Sequence, residues 1–203
     1  MRLLLTVTLL VSLASLLTSV TSVYGHEKVE NPYFSLKVPH AWRYAEHSNT
    51  EMASLFGIGP SNQIIIVPSQ FDNILFNSNK DGTLIYEKIY DSGAFSQFTQ
   101  DTDYYIKNAP LTTYIKYLAS KYPYLNITSQ QDSIVGKEKA VKIEGSDNSG
   151  TIKLVIYLIL HDKEAYNLDY VANVNDFDKY LSEFEEMIKS FRFNDKQTSQ
   201  KEK

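Results

Sequence analysis

Apolar and polar positions change rhythm several times along the chain, and each rhythm predicts an element. Arg2 is followed by an apolar run, Leu3 to Val20, interrupted only by Thr and Ser. Tyr33-Phe34-Ser35-Leu36-Lys37-Val38 then alternates with the period of a half-buried strand, which Pro39 stops. His40-Ala41-Trp42 follows as a turn that plants the only tryptophan. An indole buries a large apolar area while its N–H needs a partner, so Trp42 reads as a core anchor. Ser54–Ile58 and Gln63–Val67 are short apolar runs joined by Gly59-Pro60-Ser61-Asn62, a strand–turn–strand pattern. Phe71–Gly82 reads as a surface loop, Thr83–Tyr90 fits strand and helix equally, and Asp91–Ala109 supports no assignment.

From Pro110 to Tyr122 the spacing predicts a helix. Proline suits its first turn, and Ile115, Leu118 and Ala119 share a face with Leu111 and Tyr114 beside it. Ser129–Gly136 reads as a lead-in to the alternating strand Ala140–Glu144, and Gly145–Gly150 as a break. Thr151–Leu160 is apolar without alternation, as in a strand covered on both faces. His161-Asp162-Lys163-Glu164 links it to a second strand in which Tyr166, Leu168, Tyr170 and Ala172 alternate, so the two form a hairpin. Asn175 or Asp176 caps a closing helix, along which Phe177, Leu181, Phe184, Ile188 and Phe191 form a stripe flanked by Tyr180 and Met187. Hairpins, a two-sided central strand and two amphipathic helices predict an α+β domain: an antiparallel sheet flanked by helices.

The first segment supplies an address. One positive charge, an apolar stretch and a small-residue exit at Gly25 make an export signal, with cleavage after Gly25 favoured over Ser22. The run is also long enough for an uncleaved anchor. The expected organisation is a leader over 1–25, one domain over 26–193 and a disordered tail over 194–203 lacking apolar residues. Either way the domain lies outside the cytoplasm. Asn126-Ile127-Thr128 is an N-glycosylation sequon, which suits such a location.

Composition narrows the chemistry. With 203 residues and 43% hydrophobic content, the chain can bury a core without stapling. A net charge of -4 argues against nucleic acid, which demands a basic patch. The absence of cysteine removes disulfides, thiolate metal sites, cysteine nucleophiles and a lipid anchor at the leader. No Gly-x-Ser-x-Gly, dinucleotide or P-loop pattern is present, no catalytic residue is assigned, and no cofactor is implied.

Metal chemistry has two weak candidates. Cleavage after Gly25 would leave His26 with an amine and an imidazole able to chelate copper or zinc together. A second histidine would have to approach, and His40, His47 and His161 are the choices. His161, Asp162 and Glu164 could also hold a cation in their turn, although exposed turns use such residues anyway. Asp101-Thr102-Asp103 begins a calcium-loop spacing without the later glycine and glutamate, so it reads as a solvated loop.

The fifteen tyrosines suggest a surface. Tyr104, Tyr105, Tyr117, Tyr122 and Tyr124 gather in and around the middle helix, and tyrosine suits interfaces that are half apolar and half wet. That cluster is the first place to seek a partner.

Three segments together resemble the PsbP family. They are Tyr33–Trp42 with its strand, proline, turn and tryptophan, the hairpin carrying Tyr157 and Tyr166–Tyr170, and the closing helix Tyr180–Phe193 with its Ser-Phe-x-Phe exit. The resemblance covers residues ~31–193, about one ordinary domain. It implies an α/β/α sandwich around an antiparallel sheet. Its members are mostly non-catalytic: extrinsic photosystem subunits, exported lipoproteins and a Ran-binding import factor. Asn49–Ala109 matches nothing in the family's pattern. The expectation is therefore a non-catalytic, extracytoplasmic accessory protein docking on a protein partner or membrane complex. The competing expectation is a secreted carrier of a small ligand or metal.

Overall fold

The computed structural model describes residues 25–48, 62–71, 93–101, 110–121 and 123–194. Most of the leader, the strand expected at Ser54–Ile58, the segments after Phe71 and the tail beyond Asn194 lie outside the described residues.

The first half comprises β1 (His26–Glu30), β2 (Phe34–Pro39), β3 (Trp42–Ser48), β4 (Asn62–Pro68) and β5 (Ala94–Asp101). The second comprises α1 (Leu111–Lys121), β6 (Leu125–Val135), β7 (Glu138–Asp147), β8 (Ile152–His161), β9 (Glu164–Asn173), α2 (Phe177–Ser190) and β10 (Arg192–Phe193). Seven strands form one sheet in the order β3-β4-β5-β9-β8-β7-β6, and β1-β2-β10 form a smaller one. Every pairing is antiparallel. The fold is α+β, with two sheets where one was expected.

Burial explains the layers. On one face of the large sheet, Phe98, Val155, Tyr157, Ile159, Tyr166, Leu168 and Tyr170 meet Phe177, Phe184, Met187 and Ile188 of α2. Phe34, Leu36 and Val38 of the small sheet join the same core, together with Trp42. On the other face Tyr114 and Leu118 of α1 pack on Val141, Ile143, Leu158 and Ala165. The non-alternating β8 is thus covered on both sides, as its sequence requires.

The hairpin between β8 and β9 turns through Asp162 and Lys163, at φ 50° and 72°. Two positive φ angles match the twist of the flanking strands, so His161 and Glu164 already pair. Asp176 stands at the start of α2 without a side-chain capping bond. Instead Asn173 accepts the Asn175 N–H through its side chain at 3.0 Å.

Several elements differ from expectation. β5 lies inside Asp91–Ala109, where no element was assigned. Phe95 and Phe98, three apart, pair with Val171 and Leu168 and are both buried, on opposite faces. That two-sided burial erases the alternation a strand normally shows. β6 replaces the expected lead-in after Ser129, and β7 runs on through Gly145 to Asp147. On α1 the buried side chains are Tyr114 and Leu118, while Ala119 is exposed. Asn194, assigned to the tail, donates from its backbone to Tyr33 O at 2.9 Å and from its side chain to Asn31 O at 2.7 Å.

Candidate functional site

Among the described residues β6 is the last strand of the large sheet, and its outer backbone groups have no described strand beside them. It is eleven residues long and exposed at most positions. Its sequence holds neither lysine nor proline, two residues that natural edge strands use to repel other strands. Four large hydrophobic side chains are exposed among the described residues, and three belong to β6 or its approach: Tyr124, Ile127 and Ile134, at 57%, 37% and 73%.

A bulge sets where these side chains point. Ile127 lies opposite Gly145 and Ile134 opposite Lys139, with a register shift between Ile127 and Ser129. Residues seven apart on a regular strand would face opposite ways. The extra residue at the bulge brings Ile127 and Ile134 to one face, the face on which Val141 and Ile143 meet α1. Tyr117 of α1 packs half-buried beside that cluster, its ring 6.1 Å from Tyr114. Thr128 anchors the bulge by donating to Glu144 O at 3.1 Å.

Asn126 is exposed and paired opposite Ser146, on the α2 side of the sheet. A glycan there would stand away from Ile127 and Ile134. Of the other predicted partner residues, Tyr104, Tyr105 and Tyr122 lie outside the described residues. Ile127 and Ile134 were not singled out from sequence. Two isoleucines in an otherwise polar run were the available signal, hidden because the bulge breaks the period.

The other candidates are placed as follows. His161 Nδ1 lies 3.1 Å from Glu138 Oε1, and its ring stacks on Phe193 at 3.9 Å. Glu164 accepts from the Tyr166 hydroxyl at 3.0 Å, and Asp162 Oδ2 lies 3.9 Å from His161 Nε2. Among the described residues no three histidine or acidic side chains gather as a metal cluster. His26 is exposed at the start of β1, and Gly25 O accepts the His40 N–H at 3.0 Å.

One polar network joins α2 to the sheet. Glu185 accepts from Tyr157 at 2.7 Å and from Lys142 at 2.8 Å, while Lys142 also pairs with Glu144 at 3.1 Å. Burial first, then the bond to Glu185, pushes the Tyr157 phenol well above its ordinary value. Burial opposes charge on Lys142, but the two glutamates outweigh it and raise its value. Lys142 thus bridges two carboxylates, one on β7 and one on α2, and with the Tyr157 bond ties α2 to the sheet.

No helix among the described residues is long and apolar enough to cross a membrane. No protein-family model matches the chain, and no curated protein matches its sequence significantly. The solved structures do show likeness. Cyanobacterial PsbP (CyanoP) from Synechocystis sp. PCC 6803 superposes with a TM-score of 0.51 at 8% identity, over 86% of this chain and 96% of that one. PA94 from Pseudomonas aeruginosa gives 0.43 at 9% identity, over 81% and 94%. LpqN, involved in cell envelope biogenesis of Mycobacterium tuberculosis, gives 0.43 at 9% identity, over 84% and 91%. With its two-faced antiparallel sheet, its closing helix and this likeness to CyanoP, the chain has a PsbP-like fold.

Proposed function

We propose that this protein is a non-catalytic, extracytoplasmic accessory protein that docks a protein partner along the edge strand β6. The observation carrying the reading is the exposure of Ile127 and Ile134 on one face of an eleven-residue strand at the end of the described sheet, with exposed Tyr124 just before it. An extended segment of the partner adds to β6 through backbone hydrogen bonds, and Ile127 and Ile134 select its side chains. Tyr117 and Tyr124 form the half-wet border that interfaces favour. The PsbP-like fold supports an accessory role, and the leader-like N-terminus supports export.

Co-purification from the exported fraction tests this reading. The chain should retain a partner in fixed stoichiometry, and Ile134→Lys should release it while the melting temperature stays unchanged. Retention by Ile134→Lys and by Ile127→Lys would overturn it.

A further inference from the structure

We infer that removal of the leader after Gly25 creates a copper(II) site of three nitrogens: the new α-amine and the imidazole of His26, and the imidazole of His40. The inference is independent of docking at β6, because β1 belongs to the other sheet.

The placement of Gly25 carries it. His26 starts β1 opposite Pro39, so His40 lies directly across from Gly25 and donates its N–H to Gly25 O at 3.0 Å. A side-chain carbon on Gly25 would lie 2.6 Å from Cε1, 2.7 Å from Nε2 and 2.9 Å from Nδ1 of His40. The imidazole therefore lies over the α-carbon of the residue that cleavage removes. A leader peptidase adds water across the Gly25–His26 peptide, leaving a carboxylate on Gly25 and an amine on His26. The new amine lies one residue along β1 from the α-carbon that the His40 ring covers, with the His26 side chain leaving on the other face, and the departing glycine vacates the space next to the ring.

The donors suit the ion. An α-amine has an ordinary pKa of roughly 7.7–8.0, so copper readily displaces its proton near neutral pH. Amine and Nδ1 of one histidine close a six-membered chelate, and His40 supplies the third nitrogen. Copper(II) stands highest among first-row divalent ions for such nitrogen sets and accepts them in a tetragonal arrangement, with water completing it. Among the described residues β1 is an outer strand of its sheet.

The histidines differ in availability. His26 and His40 are exposed, and neither ring makes a hydrogen bond among the described residues. His161 is committed to Glu138 and to the stack with Phe193. From sequence His40, His47 and His161 were equivalent; the strand register singles out His40.

The test uses protein secreted with its own leader, stripped with a chelator, weighed intact and titrated with copper(II) against a competitor of known affinity. The expected chain begins at His26 and binds one copper with a three-nitrogen paramagnetic resonance pattern. His40→Ala should lose one nitrogen and weaken binding by at least ~10-fold, since even outer partners of metal ligands are worth that much. His161→Ala should titrate like the parent. His40→Gln repeats the test with a side chain of similar size should the alanine variant fail to fold. A chain beginning at another residue, or His40 variants that bind like the parent, would overturn the inference.

Discussion

Trp42 Nε1 donates to Glu183 Oε2 at 2.6 Å, joining the first residue of β3 to the middle of α2 across 141 positions. The indole is 2% exposed and sits edge-on to Tyr180 at 5.9 Å. It fills the core with one side and closes its only donor with the other. A hydrogen bond to a charged acceptor contributes about 1.5–3 kcal/mol. Glu183→Ala should therefore destabilise by about 2 kcal/mol in denaturant unfolding. Trp42→Phe combined with Glu183→Ala should cost less than the sum of the two, which a double-mutant cycle reads directly.

Tyr114 makes the equivalent attachment on the other face. Its hydroxyl donates to Asn167 Oδ1 at 2.6 Å, inside the cluster that holds α1 on the sheet. Tyr114→Phe keeps the ring and removes the donor to a buried amide oxygen. The expected cost is about 1–3 kcal/mol. Hydrogen exchange should show α1 opening before α2 in that variant.

Much of this was legible in the residues, and what was hidden has physical reasons. Periodicity marked β2, β9 and α2, and an unbroken apolar run marked β8, because each buries a continuous row of side chains. Trp42 was readable as an anchor, but not its partner, since Glu183 looks like any solvated helix acid. β5 was hidden by two-sided burial at Phe95 and Phe98, and β6 by its exposure on both faces. β1 and β10 are short, and they exist because β2 offers both of its edges. Of the candidate site, Tyr117 and Tyr124 could be read from composition. Ile127 and Ile134 required the bulge.

Gly145 of β7 leaves no room for a side chain against β6. A side-chain carbon there would lie 2.7 Å from the Asn126 carbonyl oxygen, a backbone atom that cannot swing aside. Gly145→Ala should cost about 1–3 kcal/mol, in the range of other overpacked sites. Amide exchange should locate the loosening in Leu125–Thr128, with α2 unaffected.

Buried phenols set an alkaline limit. Tyr157, Tyr166 and Tyr170 are held above their ordinary value, in each case first by burial and then by nearby acids, Glu185, Glu164 and Asp176 respectively. In the unfolded chain these phenols ionise near pH ~10, while the folded chain keeps them neutral. Their contribution is therefore complete below pH ~10 and declines as pH rises beyond it. The unfolding midpoint should fall progressively above that pH. Tyr157→Phe should show a shallower decline than the parent, and an identical slope would contradict the assignment.

Hydrogen exchange on the native complex tests the docking surface most directly. The exported protein is compared with its partner bound and after dissociation, with every amide of Leu125–Val135 followed. Docking along the edge predicts that alternate amides of β6, those directed away from β7, become protected only in the complex, while β3 at the opposite end is unchanged. Protection confined to another surface, with β6 exchanging at the same rate in both states, would contradict it.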